Sequence, residues 1–361
     1  MVSIHTFEMR IALCKSEQKQ ILKNLNVPSY KQSWTEHRYN NIGIQIILYK
    51  GKKKKFIYLK YIVNPKRIFD GKDYLNLLEP KKENISTLWD VIKQTWTEIG
   101  CGIPFGRFYL SRLDFTCDIH LDSEELVAEY IRLLGKSILL PSAKRFSVTG
   151  IYHDADITED TKTELQKNCC KFGVTECEDI QYYNKIFELE NENLPIPENI
   201  ENEDTHILRI ELQIHKTKRV SELLQDFRLY NKPIEEQFSY FMEHADFFLL
   251  SRLEKLYMPG RYHKKEYIEN YIKDICMIRK KTKERIRMLV EHCNKNITLG
   301  RCLELDKQYG SVYKRQKALE SLSRFRISPV CIQKSLTDYD ELPDIFELAK
   351  HGPGDIGTNN I

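Results

Sequence analysis

The sequence predicts an α+β fold: one antiparallel sheet built from two βαββ-like units and backed by helices, followed by a mostly α-helical region. Three observations predict it. Short segments of period-two hydrophobic alternation recur in the order strand, helix, strand, strand, first near the amino terminus and again from Phe108. Helical spacing takes over after Thr217. A chain of 361 residues with 41% hydrophobic content can bury the cores of two or three domains.

The elements follow in order. His5 to Leu13 reads as a strand and Ser16 to Leu25 as a helix. Ile42 to Lys50 runs through Gly51 into Phe56 to Val63 as a hairpin, which Asn64 and Pro65 end because proline removes a ladder donor. Trp89, Ile92, Trp96 and Ile99 give the helix Ile85 to Ile99 one buried face. Phe108 to Leu121 alternates as a strand. Asp122 and Glu125 form a capping-box-like start to the helix Glu124 to Leu134, closed by Gly135. Phe146 to Tyr152, Asp179 to Leu189 and His206 to His215 are further strands. Beyond them Leu223, Leu224 and Phe227, then Phe238, Phe241 and Phe247, mark helices, and Ile268 to Cys293 reads as one long basic helix. The expected division is a βαββ half-sheet over 1–80, a core with the chemistry over 81–220, a mostly α basic region over 221–350 and a disordered tail over 351–361.

Composition narrows the class. No run of eighteen apolar residues and no signal-peptide core is found, so a soluble, cytoplasmic protein without a membrane segment is expected. Ten scattered cysteines lack paired C-x-x-C units and read as reduced thiols; the cluster Cys169, Cys170 and Cys177 lacks the paired spacing of a zinc site. The net charge of +4 hides an asymmetry. Residues 50–67 carry eight Lys or Arg and no acid, 154–206 carry fifteen acids against four Lys, and 273–334 carry sixteen Lys or Arg against six acids. Two basic tracts suit an extended polyanion, although each alone also suits solvated surface. Lys52, Lys53, Lys54 and Lys55 sit at the hairpin tip. Leu299 to Leu305 and Ser311 to Leu322 would make a helix-turn-helix presenting Lys314, Arg315 and Lys317 to DNA, with an ordinary basic helix pair as the alternative.

Three strings carry polar residues that packing alone does not require: Ser111-Arg112-Leu113-Asp114-Phe115-Thr116-Cys117-Asp118-Ile119-His120, Ile180-Gln181-Tyr182-Tyr183-Asn184-Lys185-Ile186-Phe187-Glu188, and Leu208-Arg209-Ile210-Glu211-Leu212-Gln213. Strand alternation places Asp114, Thr116, Asp118 and His120 on one face, Tyr183 with Lys185 on another, and Arg209, Glu211 and Gln213 on a third. Tyr182 points the opposite way, as a core ring. If the faces coincide, a phenol, a cation and carboxylates meet, which is the inventory of metal-assisted phosphoryl transfer. A phenol with a pKa of about 10 needs its proton taken during attack, and a divalent cation held by carboxylates would draw charge from the phosphate. Asp114 and Asp118 lie about 13 Å apart along a regular strand, too far to share one ion. Asp114 with Glu211 is the favoured pair, Asp118 follows, and His120 is weaker.

In order, these strings resemble the motifs of rolling-circle plasmid replication initiators of staphylococcal type, relatives of filamentous-phage initiators and transposon relaxases: R-L-D-x-x-x-D, I-x-x-Y-N-K-x-x-E and R-x-E-x-x-x-K. Asn64-Pro65-Lys66 and Phe172-Gly173-Val174 extend the resemblance over roughly 56–225. The resemblance implies a nickase-like sheet in which Tyr183 cuts one strand at a double-strand origin, becomes linked to the 5′ phosphate and leaves a free 3′ hydroxyl. Asn184, Lys185 and Glu188 complete its motif, with Lys185 at the catalytic centre, and Arg112, Asp114, Asp118, Arg209 and Glu211 fall on the flanking motifs. It also implies Mg²⁺ or Mn²⁺, and a host helicase and polymerase as partners; whether the chain forms a homodimer is left open. The last motif departs from the pattern, with His215 at the lysine position and Lys216 one place later. Two alternatives stay open: Tyr183 as a packing ring, and a non-catalytic DNA-binding replication or transcription regulator of the same fold.

Overall fold

The computed structural model describes residues 1–27, 33–50, 57–100, 102–147, 151, 158–197, 205–276, 278–295, 298–305 and 311–351. Period-two alternation produces a nine-stranded sheet of β1 (Val2–Leu13), β2 (Ser33–Glu36), β3 (Ile44–Lys50), β4 (Ile57–Val63), β5 (Tyr109–Leu121), β6 (Lys144–Arg145), β7 (Cys169–Gly173), β8 (Glu178–Asn184) and β9 (His206–Ile214). Their order is β2-β3-β4-β1-β5-β9-β8-β7-β6, with every pairing antiparallel. The longest strands, β1 and β5, are neighbours at the centre. The hairpin tip, and with it Lys52, Lys53, Lys54 and Lys55, lies outside the described residues.

One sheet face is apolar. Phe7, Met9, Leu113, Phe115, Ile210, Leu212, Ile180 and Tyr182 are buried there. Thirteen α-helices occur among the described residues: α1 (Lys15–Asn24), α2 (Lys82–Ile99), α3 (Glu124–Ser137), α4 (Glu159–Asn168), α5 (Lys185–Asn191), α6 (Thr217–Asp226), α7 (Ile234–Glu243), α8 (Ala245–Leu256), α9 (Lys265–Asp274), α10 (Lys280–Cys293), α11 (Leu299–Leu305), α12 (Val312–Arg324) and α13 (Ile345–His351). Aromatic contacts join helices to the apolar face: Phe7 meets Phe238 of α7 at 4.4 Å between ring centres, and Phe115 stacks on Phe248 of α8 at 5.1 Å. Trp89 and Trp96 of α2 are buried as their spacing requires. A single buried cluster runs from the sheet through the helices to Leu348. The short strands β10 (Tyr262–His263) and β11 (Glu341–Leu342) pair apart from the main sheet.

Several boundaries differ from expectation for identifiable reasons. The cap of α3 is Ser123, whose hydroxyl accepts from the Leu126 amide at 3.2 Å, rather than Asp122. Gly135 lies inside α3 instead of closing it; a Cβ there would stand 3.1 Å from the Cys170 sulfur, so the glycine lets α3 approach β7. The expected strand 179–189 is strand β8 followed by helix α5, because the Asn184 side chain accepts from the Phe187 amide at 3.2 Å and caps a helix. Before β7 the paired strand is Lys144–Arg145. The single long helix is two, α9 and α10, with extended backbone at Ile275 and Arg279 between them.

Gly300 gives a test of packing against propensity. In α11 an added Cβ would stand 2.4 Å from the Leu139 carbonyl oxygen and 2.6 Å from its carbon. Helix propensity alone would make Gly300→Ala stabilising by about 1 kcal/mol. The backbone clash reverses the sign, and denaturant unfolding is expected to show a loss of about 1–3 kcal/mol.

Candidate functional site

The other face of the sheet is polar, and cross-strand register arranges it in three rungs. Tyr183, Arg209 and Asp118 stand side by side across β8, β9 and β5. Gln181, Glu211 and Thr116 form the next rung, and Asp179, Gln213 and Asp114 the third. Alternation therefore brings the three sequence-predicted faces onto one side. Tyr182 faces the core, where its hydroxyl bonds to that of Tyr257.

β1 adds a residue that the alternation hides. Its register against β5 slips between Ile4 and Thr6, so a bulge turns both His5 and Thr6 toward the polar face. His5 Nδ1 lies 3.7 Å from Glu211 Oε2, and His5 Nε2 lies 3.3 Å from Asn64 Nδ2. Burial, then the charges of Arg209, Lys185 and Arg112, hold the His5 pKa well below its ordinary value, leaving a neutral imidazole at neutral pH.

The Tyr183 hydroxyl donates to Glu211 Oε2 at 3.3 Å, and Gln213 Nε2 donates to the other oxygen of the same carboxylate. Tyr183 is only 4% exposed. Burial, and then the charges of Glu188 and Glu211, push its phenol pKa well up, while Arg209 opposes them. Arg209 has no exposed surface and is held by Asp118 in two bonds of 2.6 and 2.7 Å and by the Leu75 carbonyl. Its Nη1 is buried without a hydrogen-bond partner among the described residues. Arg209 falls on the last motif, and its ion pair is with Asp118.

The remaining site residues fall as follows. Asp114 is buried and gripped by Arg112 at 2.6 and 2.8 Å. Burial raises its pKa, Arg112 opposes the rise and Glu211 adds to it, leaving the carboxyl at about 7. Lys185 does not share a strand face with Tyr183, since β8 ends at Asn184. It opens α5, is buried, and pairs with Glu188 at 2.5 Å, its pKa lowered by burial and by Arg209. His120 is exposed near the end of β5. Among the described residues no three His, Cys, Asp or Glu side chains form a ready metal centre. The donor chemistry that best suits a hard cation is nevertheless Asp114 with Glu211, beside the neutral His5: burial and the neighbouring Glu211 carboxylate raise Asp114 to about 7 despite its pairing with Arg112. Asp118 is committed to Arg209.

A cover closes this face. Leu75, Leu189 and Ile207 form a small buried cluster, with Tyr74, Ile186, Leu194 and Ile196 packed around it. Because α5 folds back onto β9 and Arg209 holds the Leu75 carbonyl, the rung of Tyr183, Arg209 and Asp118 lies beneath helix and loop. In the helical region Arg315 is buried and donates to the carbonyls of Leu303 at 2.7 Å and Glu304 at 3.1 Å, tying α12 to the end of α11. It is therefore not presented to a groove. Lys317 pairs with Glu320 at 2.6 Å, and Lys314 is exposed.

No protein-family model matches the chain, and comparison with curated proteins finds no match.

The Arg209 and Asp118 pair makes a prediction that separates structural support from metal ligation. Asp118→Ala leaves a fully buried guanidinium without its carboxylate, so a loss of about 3–5 kcal/mol is expected in metal-free denaturant unfolding. A residue serving only as a metal ligand would show no such loss without metal.

Proposed function

We propose that this protein nicks and rejoins one strand of DNA through Tyr183, as a replication initiator acting at a double-strand origin. The observation that carries the reading is the hydrogen bond from the Tyr183 hydroxyl to Glu211, on one sheet face with Arg209 and Asp114. The motif resemblance supports it, as does a strand order that reads as two related half-sheets meeting at β1 and β5.

The chemistry is a transesterification. The Tyr183 oxygen attacks a backbone phosphorus, and its proton passes to Glu211, already within hydrogen-bond reach. A phosphotyrosine bond to the 5′ side forms as the bond to the 3′ oxygen breaks, and that oxygen leaves with a proton as a 3′ hydroxyl. The unpartnered Arg209 Nη1 can meet negative charge on the phenolate or phosphate in a site shielded from water. The phosphodiester energy is kept in the phosphotyrosine, so attack by a 3′ hydroxyl reverses the step. Asp114 and Glu211, with His5 beside them, would hold a Mg²⁺ or Mn²⁺ ion, which would draw charge from the phosphate oxygens. The free 3′ hydroxyl is the primer a host polymerase needs, and a host helicase is the partner that would unwind ahead of it. The exposed Lys314 and the hairpin lysines serve the phosphate backbone.

The burial of Tyr183 favours a second reading, a DNA-binding regulator that keeps the fold without cutting. Incubation with supercoiled DNA carrying the cognate origin distinguishes the two. Nicking with a covalent protein–DNA adduct is expected for the native chain, and a drop of at least about 10³-fold for Tyr183→Phe, which has no oxygen to attack. Nicking unchanged in that variant would remove Tyr183 as nucleophile, and binding without any nicking at a verified origin would favour the regulator.

Metal binding carries its own sign. A proton on Asp114 competes with a cation, so the rise in Tm on adding Mn²⁺ is expected to grow as pH passes upward through about 7. Thermal shifts at pH 6 and pH 8 read this directly. An equal rise at both pH values, or one retained in Asp114→Asn, would exclude Asp114 as a ligand.

A further inference from the structure

Beside the candidate nucleophile's rungs, on the β1, β3 and β4 side of the sheet, lies a cavity of about 420 Å³. Its size falls within the range of about 300–1,000 Å³ usual for small-molecule sites. Thr6, Asn41, Gln45, Asn64, Arg67 and Tyr74 supply its polar wall, and no acid is among the described residues that line it. Two features set this wall apart from ordinary polar surface. Arg67 lies over the Tyr74 ring, its guanidinium carbon 4.0 Å from the ring centre, and is fixed by bonds to the carbonyls of Asn40 at 2.6 Å and Gly71 at 3.0 Å. That half-buried cation has carbonyl partners and no carboxylate in its hydrogen bonds. Four carboxamides, Asn40, Asn41, Gln45 and Asn64, line the same space; Asn64 is engaged with His5 and the Arg67 amide, and Asn41 and Gln45 carry the donors and acceptors that a ligand would meet.

We propose that this cavity binds one unpaired nucleobase of the DNA strand delivered to Tyr183, with adenine the best match. The inference rests on the nicking or DNA-binding reading and names the strand contact that would confer sequence preference. An unpaired base presents its hydrogen-bonding edges freely, and a carboxamide pairs in two bonds with adenine's amino group and ring nitrogen. The paired guanidinium and phenol give a flat, cationic surface of the kind that bases and their phosphates stack and rest on. A protein or acidic-peptide ligand would not need a row of carboxamides beside a stacked aromatic ring. Thr6 and Asn64 join the cavity to the rungs, Asn64 through its contact with His5 at 3.3 Å.

Position along the strand follows from the sheet. From β4 to β8 there are four strand spacings, about 20 Å at about 4.8 Å each. The base held here therefore lies about three to six nucleotides from the phosphate at Tyr183, rather than next to it.

A binding selection tests this without knowledge of the origin. The full chain is incubated with a single-stranded library of random 20-mers, and the retained DNA is sequenced. The native protein is expected to enrich a motif in which one position prefers one base, adenine, at least about tenfold. Asn41→Ala with Gln45→Ala is expected to flatten that position while leaving the other enriched positions in place. Asn41 is exposed and Gln45 half-buried, so the chain tolerates their truncation. A motif identical in both proteins would overturn the proposal, as would no base preference in the native chain. A position that prefers a base other than adenine and is flattened by the variant would uphold the site and overturn the match. Because the selection reads binding alone, it is repeated on Tyr183→Phe: a preference retained there, with nicking absent from the native chain, would sink the nicking reading and leave the base site standing.

Discussion

Arg209 is a guanidinium without exposed surface at the middle of a polar sheet face, and its two-bond pairing with Asp118 allows that face to be polar and covered at once. A buried cation left unpaired is unstable by several kcal/mol in a folded chain. With Asp118 on β5 and Arg209 on β9 in direct register, the pairing is available from the sheet itself. Arg209 also holds the Leu75 carbonyl, which fastens the covering loop. Its charge is the one influence that opposes the rise of the Tyr183 pKa. Sheet register, cover and phenol electrostatics thus converge on one side chain.

The cover sets the terms of the chemistry. In this arrangement the phenol is less acidic than in water, because burial and three carboxylates, Glu188, Glu211 and Asp118, disfavour its charge. On the proposed nicking reading, a preformed phenolate is therefore not the nucleophile. Under that reading attack would be concerted with proton loss to Glu211, and the spare Arg209 donor would supply compensation where charge develops. The cluster of Leu75 and Leu189 would, on the same reading, have to move aside for a backbone phosphate to reach the buried phenol. That cluster is small and distinct from the main core, so few buried apolar contacts hold it in place.

The sequence made the apolar face legible because alternation is a local property, and the same alternation put Tyr183, Asp114 and Glu211 on one side and Tyr182 on the other. What was illegible depended on events that no local period records. His5 reaches the site through a bulge, visible in sequence only as two successive polar residues, His5-Thr6, where the strand otherwise alternates. Lys185 left its expected strand because Asn184 competes for the backbone as a helix cap. Asp118 was read as a ligand because its partner lies 91 residues away across a register that sequence does not state. Arg315, basic among basic residues, was recruited to the end of a neighbouring helix.

The polar face also divides its charges unevenly. On the β4 and β1 side, Glu8 is answered by Lys60 at 2.9 Å and Arg10 at 3.1 Å, and its pKa is lowered: burial pulls upward, but the two cations outweigh it. Those charges satisfy one another, leaving carboxamides and Arg67 to face a ligand. On the β5, β9 and β8 side burial and the Glu211 carboxylate outweigh the pairing: Asp114 is raised to about 7 although Arg112 grips it, and Arg209 keeps a donor unspent. Neutral hydrogen-bonding groups discriminate between ligands at little electrostatic cost, whereas uncompensated charge does most where a reaction redistributes charge. The sheet thus has a side suited to recognition and a side suited to reaction, joined by His5 touching both Asn64 and Glu211.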